Sequence, residues 1–142
     1  MSTRNDYTES LSTEAALERL STKTLGRLVV RSGEDIELFP LNYTVHDGKI
    51  FFRTAEGTKL FHLAFHKDVL FEADDADLDE SVAWSVIVKG EARILTSHSE
   101  VLAAEDLPLK PWTPSLKYNF VEITPREVSG RVFRLGEEPQ RF

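Results

Sequence analysis

His46-Asp47-Gly48-Lys49 stands between two apolar-rich segments and constrains the fold of this chain more than any other stretch. Asp-Gly accepts the positive φ angles of a tight two-residue turn, so the flanking segments are expected to be the arms of an antiparallel hairpin. The same texture recurs along the chain. Leu28-Val29-Val30 ends in Arg31-Ser32-Gly33-Glu34, a second turn, and Ile36–Phe39 resumes as a strand that runs through Pro40, Leu41 and Asn42 to Val45. Pro40 has no N–H for a ladder, which places it on an edge or at a bulge. Val69–Ala73 reads as a strand and Asp74–Glu80 as an acidic loop. In Ser81–Leu95, Val82, Trp84, Val86 and Val88 alternate on one side, and Gly90 predicts a bend or bulge. Two last strands, Tyr118–Thr124 and Glu127–Phe133, are expected to meet at Pro125-Arg126.

Helical periodicity is confined to short stretches. Ser12 is placed to cap a helix over Thr13–Leu20, with Glu14 in its first turn and Ala16, Leu17 and Leu20 on one face. Beyond Gly57, Leu60, Leu63 and Ala64 share a face, Phe61 and Phe65 lie beside it, and Lys59, His62 and His66 lie opposite. Ser97 predicts an N-cap for a helix to about Asp106, with Val101 and Leu102 facing inward. The prolines of Leu107–Pro114 make that segment irregular. Residues 1–11 are expected to be a loose arm, and residues 12–142 a single domain. Strands that do not alternate one-for-one with helices disfavour a parallel α/β sheet. The expected fold is mainly β, an antiparallel barrel of six or seven strands with short helices plugging or covering its ends.

Charge and residue usage limit the function classes. A formal charge of −7 over 142 residues argues against broad nucleic-acid binding, which concentrates Lys and Arg. The absence of cysteine excludes disulfides, thiolate metal sites and cysteine nucleophiles. Neither a signal-peptide core nor a membrane-length apolar run is present, so the expected location is cytoplasmic, away from any membrane.

Within this background FFRTAEGTKL (residues 51–60) combines features that suit an anion. One reading is an ordinary strand-to-helix joint with a capping threonine. The other is a phosphate cradle: a helix start with unpaired N–H groups, hydroxyls from Thr54 and Thr58, the planar fork of Arg53 and the mobile charge of Lys59. Ala55 and Gly57 leave room for the ligand.

The ordered segments LGRLVV (25–30), FPLNY (39–43), HDGKIFFRTAEGTKL (46–60), VLFEAD (69–74), AWSVIVKGEARIL (83–95) and VEITPREVSGRVF (121–133) resemble the FMN-binding split barrels of the pyridoxamine 5'-phosphate oxidase-like superfamily. The last segment is similar to that family's final hairpin. The resemblance implies that Arg53, Thr54, Thr58 and Lys59 hold the FMN phosphate. It implies that Pro40, Leu41 and Asn42 run along the isoalloxazine ring, with Phe52, Trp84 and Ser85 near the cofactor. It further implies a homodimer with a flavin at each interface, and an oxidoreductase using a small-molecule electron donor and acceptor. Pyridoxamine phosphate oxidases proper carry Arg-x-His near the C-terminus, whereas Gly130-Arg131-Val132-Phe133-Arg134 has no histidine. What carries over is therefore the cofactor and fold rather than that substrate. A carrier or sensor binding flavin or haem without turnover is the alternative, as is a deazaflavin-dependent reductase; the hydroxyl and cation set favours FMN over a deazaflavin.

Other constellations are weaker. His62 and His66 have chelating i,i+4 spacing, but Leu63 stands where a zinc protease needs glutamate, and a solvated face is the simpler account. The acidic run 74–80 lacks the glycine and the terminal glutamate of a calcium loop. Ser85 has no nucleophile-elbow glycines. Trp112 would serve equally as the cap of a cleft or an apolar anchor, and Arg131 as a ligand contact or a partner of surface carboxylates.

Overall fold

A computed structural model of the chain describes residues 7–63, 68–109 and 117–136. Its elements in chain order are β1 (Thr8–Leu11), α1 (Thr13–Leu20), β2 (Leu25–Ser32), β3 (Asp35–Asn42), β4 (Thr44–His46), β5 (Lys49–Ala55), α2 (Lys59–Leu63), β6 (Asp68–Asp77), β7 (Val82–Ile94), α3 (His98–Glu105) and β8 (Tyr118–Arg134). The strands form one sheet in the order β3-β2-β6-β7-β8-β5-β4, with β1 also on β8, and every pairing is antiparallel. The sheet curls so that β3 comes back towards β5, giving the expected split barrel.

The turn that frames the sequence reading is present. Asp47 has φ 51° and Gly48 φ 71°, both left-handed, and His46 pairs with Lys49 across them. Pro40 lies on β3, an outer strand of the sheet, where its missing donor costs no ladder bond. Ser12 caps α1 by accepting from the Ala15 N–H, and Ser97 caps α3 by accepting from the Glu100 N–H.

Five expectations change. The strand expected from Ile36 to Val45 breaks at Tyr43, because β3 ends at Asn42 on β2 and β4 starts at Thr44 on β5. Thr8–Leu11 are not loose: they pair with Gly130–Phe133 of β8, which orders the second half of the segment expected as an arm. The acidic run is mostly strand, because β6 continues to Asp77 opposite Val82, and only the turn after it is loop. There Asp77 Oδ1 accepts the N–H groups of Asp79 and Glu80, both at 3.1 Å. Pro125-Arg126 is not a corner between two strands either. β8 is a single strand of 17 residues, and Arg126 is its bulge: Lys89 pairs with Glu127 and Gly90 with Pro125, which leaves Arg126 without a partner on β7. Finally, Leu102 of α3 is exposed, while Val101 faces the packing.

Two apolar clusters use the two faces of the curled sheet. Inside the barrel lie Leu28, Val30, Leu41, Tyr43, Ile50, Phe52, Phe71, Val86, Val88, Val121 and Ile123, with Ala16 and Leu20 of α1 packed against them. The Tyr43 hydroxyl donates to the Leu20 carbonyl at 2.6 Å, and burial pushes its pKa well above the ordinary phenol range. On the other face Phe51, Phe120, Leu95 and Leu109 gather around Ala104 of α3. Strand β5 is thus covered on both sides, which fixes the direction in which Arg53 and Thr54 leave it.

Glycine is required on β7 opposite the bulge: a Cβ on Gly90 would stand 2.3 Å from the Thr124 carbonyl oxygen. The obstacle is backbone of the partner strand and cannot rotate away. Gly90→Ala should therefore lower unfolding free energy by about 2 kcal/mol or more, read from chemical denaturation.

Candidate functional site

Strand β5 delivers the central residues of the candidate site. Alternation turns Phe52 and Thr54 into the barrel with Ile50, and Phe51 and Arg53 to the α3 side. Arg53 and Thr54 are consecutive, so their side chains leave the strand on opposite faces near its end at Ala55. Both carry an unsatisfied atom. Arg53 Nε and Thr54 Oγ1 are buried side-chain polar atoms without a hydrogen-bond partner among the described residues. A buried unpaired donor costs on the order of 1–3 kcal/mol, and the end of β5 carries one on each face.

Arg53 is held by stacking. Its Cζ lies 3.4 Å from the centroid of the Tyr118 ring, and no carboxylate pairs with it among the described residues. Tyr118 donates in turn to Glu105 at the end of α3, 2.9 Å and 3.0 Å from the two carboxylate oxygens. A cleft of about 280 Å³, lined by Leu95, Val101, Glu105, Tyr118, Asn119 and Phe120, opens beside this stack.

The other two members of the expected cradle are occupied. The Thr58 hydroxyl donates to the Ala55 carbonyl at 2.7 Å and accepts the Phe61 N–H at 3.1 Å, which is a capping role. Lys59 forms an ion pair with Glu37 of β3, drawing α2 onto the strand that faces β5 across the split. Gly57 has φ 79°, so glycine is needed for the turn itself.

The remaining candidates divide by face. Leu41 and Trp84 are buried in the barrel cluster with Phe52. Pro40, Asn42 and Ser85 lie on the outer face: Pro40 is opposite Arg27, Asn42 opposite Leu25, and Ser85 opposite both Asp74 and Arg131. Trp84 and Ser85 stand near the start of β7, whereas Ile94 at its end is level with Val121 and Phe52. Within one chain, then, the Trp84-Ser85 pair is remote in register from Arg53. Arg131 is exposed, and Trp112 and His66 lie outside the described residues. His62 is exposed on α2.

An ionic group on the same outer face escaped the sequence reading. Arg27 contacts Glu72 at 2.7 Å and Asp74 at 2.9 Å, in the row that contains Pro40. Burial, followed by a hydrogen bond that the protonated Glu72 donates to Asp74, raises the Glu72 carboxyl to about 7 despite the pull of Arg27. Asp74 is lowered, first by the same hydrogen bond. The signal was available only as i,i+2 acids on a strand, and residue 74 had been assigned to a loop.

The geometry can now be compared with known proteins. A family model described as pyridoxamine 5'-phosphate oxidase matches residues 12–132. The chain belongs to this family. A putative pyridoxamine 5'-phosphate oxidase from Corynebacterium glutamicum is 47% identical, with a TM-score of 0.87, over 95% of this chain and 99% of that one. The FAD binding protein from Mycobacterium smegmatis is 39% identical, with a TM-score of 0.82, over 90% of this chain and 100% of the other. An uncharacterized protein of Mycobacterium tuberculosis is 49% identical over 92 residues, which make up 65% of this chain and 82% of that protein.

Two outcomes follow from these contacts. Thr54→Val removes a buried hydroxyl with no partner, and the ligand-free protein should gain about 1 kcal/mol in denaturant unfolding. Glu72 binds its proton more tightly folded than unfolded, so it lowers stability as pH rises from its ordinary value of 4.5 to about 7. Wild-type melting temperature should fall between about pH 5 and about pH 8, and Glu72→Gln should flatten that fall.

Proposed function

We propose that the chain binds a flavin through its phosphate at the end of β5 and acts as a flavin-dependent oxidoreductase, with FMN as the cofactor. One observation carries the reading: Arg53 Nε is buried without a partner, and Arg53 has no carboxylate to neutralise it among the described residues. A guanidinium so placed is the donor a phosphate needs. The residues fit the group with two adjustments. Lys59 reaches a phosphate only by leaving Glu37, and the Thr58 hydroxyl is committed to the turn; Thr54 faces the barrel side and joins only by a turn of the strand end, so Arg53 does most of the holding. The M. smegmatis neighbour binds FAD, which supports a flavin and makes FAD the second candidate.

A bound flavin would supply the electron transfer. The part of this chain is to fix the phosphate with Arg53, to wall the barrel side with Phe52 and Leu41, and to present Pro40 and Asn42 on the outer face. That face carries exposed Ile36 and Leu38 and a shallow concavity of about 300 Å³ among Val29, Ile36, Leu70 and Lys89. A second copy is the occupant this reading gives it. A homodimer would also bring a Ser85 that one chain keeps far from its own Arg53. The electron donor and acceptor are small molecules in this reading, with NADH and NADPH the first donors to try.

The test is a visible absorption spectrum of purified protein followed by FMN titration. Wild type should be yellow or take up added FMN, and Arg53→Ala should weaken binding by about 10- to 100-fold. Unchanged affinity in that variant would sink the phosphate assignment. Bound flavin that no nicotinamide donor reduces would favour a carrier or sensor.

A further inference from the structure

Neither the RTAEGTKL motif nor the family resemblance points to Tyr118, yet its ring is the surface on which the Arg53 guanidinium rests. We propose that Tyr118, braced by Glu105 of α3, is a positioning residue that holds Arg53 edge-on for the flavin phosphate. The inference rests on the flavin reading above and extends it to how the chain selects a phosphorylated ligand.

The ladder makes the contact. Arg53 pairs with Phe120 and Ala55 with Tyr118, so Arg53 and Tyr118 are diagonal neighbours on the α3 side of the β5–β8 pair. The ring is fixed in two directions. Its edge meets Phe120 at 5.5 Å with the planes at 90°, and its hydroxyl donates to both oxygens of Glu105. The bond to Glu105 raises the phenol pKa, with a smaller opposing pull from Arg53, so the hydroxyl remains a donor at neutral pH.

A guanidinium lying on an aromatic ring loses water from one face but keeps its N–H groups in its own plane. That geometry suits a planar fork reaching past the ring edge to an oxyanion. It also explains why arginine stands here: lysine offers neither the flat face nor the fork. With Glu105 the last residue of α3, the helix that covers Phe51 also sets the angle of the phosphate-binding cation. The unpaired Nε beneath the stack fits the same account, because an arginine satisfied by its own chain would not need a platform.

The experiment titrates FMN and riboflavin, which differ in the phosphate, into the full chain of wild type, Tyr118→Phe, Tyr118→Leu and Glu105→Gln. Flavin fluorescence gives affinity, and thermal melts check folding. Wild type should prefer FMN. Tyr118→Leu should cut the FMN-to-riboflavin affinity ratio about tenfold with riboflavin affinity little changed, a split that general loosening would not produce. Tyr118→Phe should keep most of the ratio, and Glu105→Gln should fall between. If the leucine variant does not fold, Tyr118→Met replaces it as a ringless side chain of useful length. An unchanged ratio in a folded ringless variant, or an equal loss in Tyr118→Phe, overturns the inference while leaving the flavin reading intact. A wild-type protein that binds no flavin overturns both.

Discussion

The β7–β8 ladder is the constraint on which the rest of the structure depends. β8 pairs along one side with β7, while its other side takes β5 over Tyr118–Ile123 and β1 over Gly130–Phe133. Two long strands held this way must twist, and the twist must be absorbed somewhere. Gly90 and Pro125 are where that happens: β8 bulges at Arg126, just after the residue without an N–H, and faces a glycine on β7. Because β5 takes its register from β8, the same ladder brings Arg53 beside Tyr118. Geometry at the site is thus set by a backbone pairing some distance from it.

The electrostatic character of the site follows from what the chain leaves unmatched. Several of the described cations are answered locally: Arg93 pairs with Glu100 and Glu122, Arg27 with Glu72 and Asp74, Lys23 with Asp75 and Lys59 with Glu37. Arg93 holds the Glu100 carboxyl down to about 2, and a serine hydroxyl, Ser97, assists. Arg53 differs from these in being stacked on a ring and partly buried, with no carboxylate paired to it among the described residues. In a chain of net charge −7, a cation without an acid beside it keeps its field for an incoming anion.

Much of the fold could be read from short-range chemistry. The hairpin at Asp47-Gly48, the caps at Ser12 and Ser97, the bulge opposite Gly90 and the edge position of Pro40 all depend on one or two residues and their φ preferences or missing donors. The misreadings share a different cause. Thr8–Leu11 is too short and polar to announce a strand, and becomes one because β8 presents a free edge. Asp74 and Asp75 look like loop residues, yet β7 pairs with them, and Arg27 and Lys23 offset their charge. Pro125 suggested a corner because a proline usually ends a strand; here a bulge at the next residue, Arg126, lets β8 continue.

The sequence by itself determined the kinds of element, their order, and the concentration of Arg53, Thr54, Thr58 and Lys59 at one strand-to-helix joint. These are local properties: turn chemistry, side-chain period and capping act over a few residues. Only the tertiary structure decided which of those four groups is unmatched. Thr58 turns inward to cap its own helix, Lys59 meets a glutamate from a distant strand, and Arg53 lies on a tyrosine carried by β8. Pairing between strands far apart in the chain brings such partners together, and no local pattern encodes who they will be.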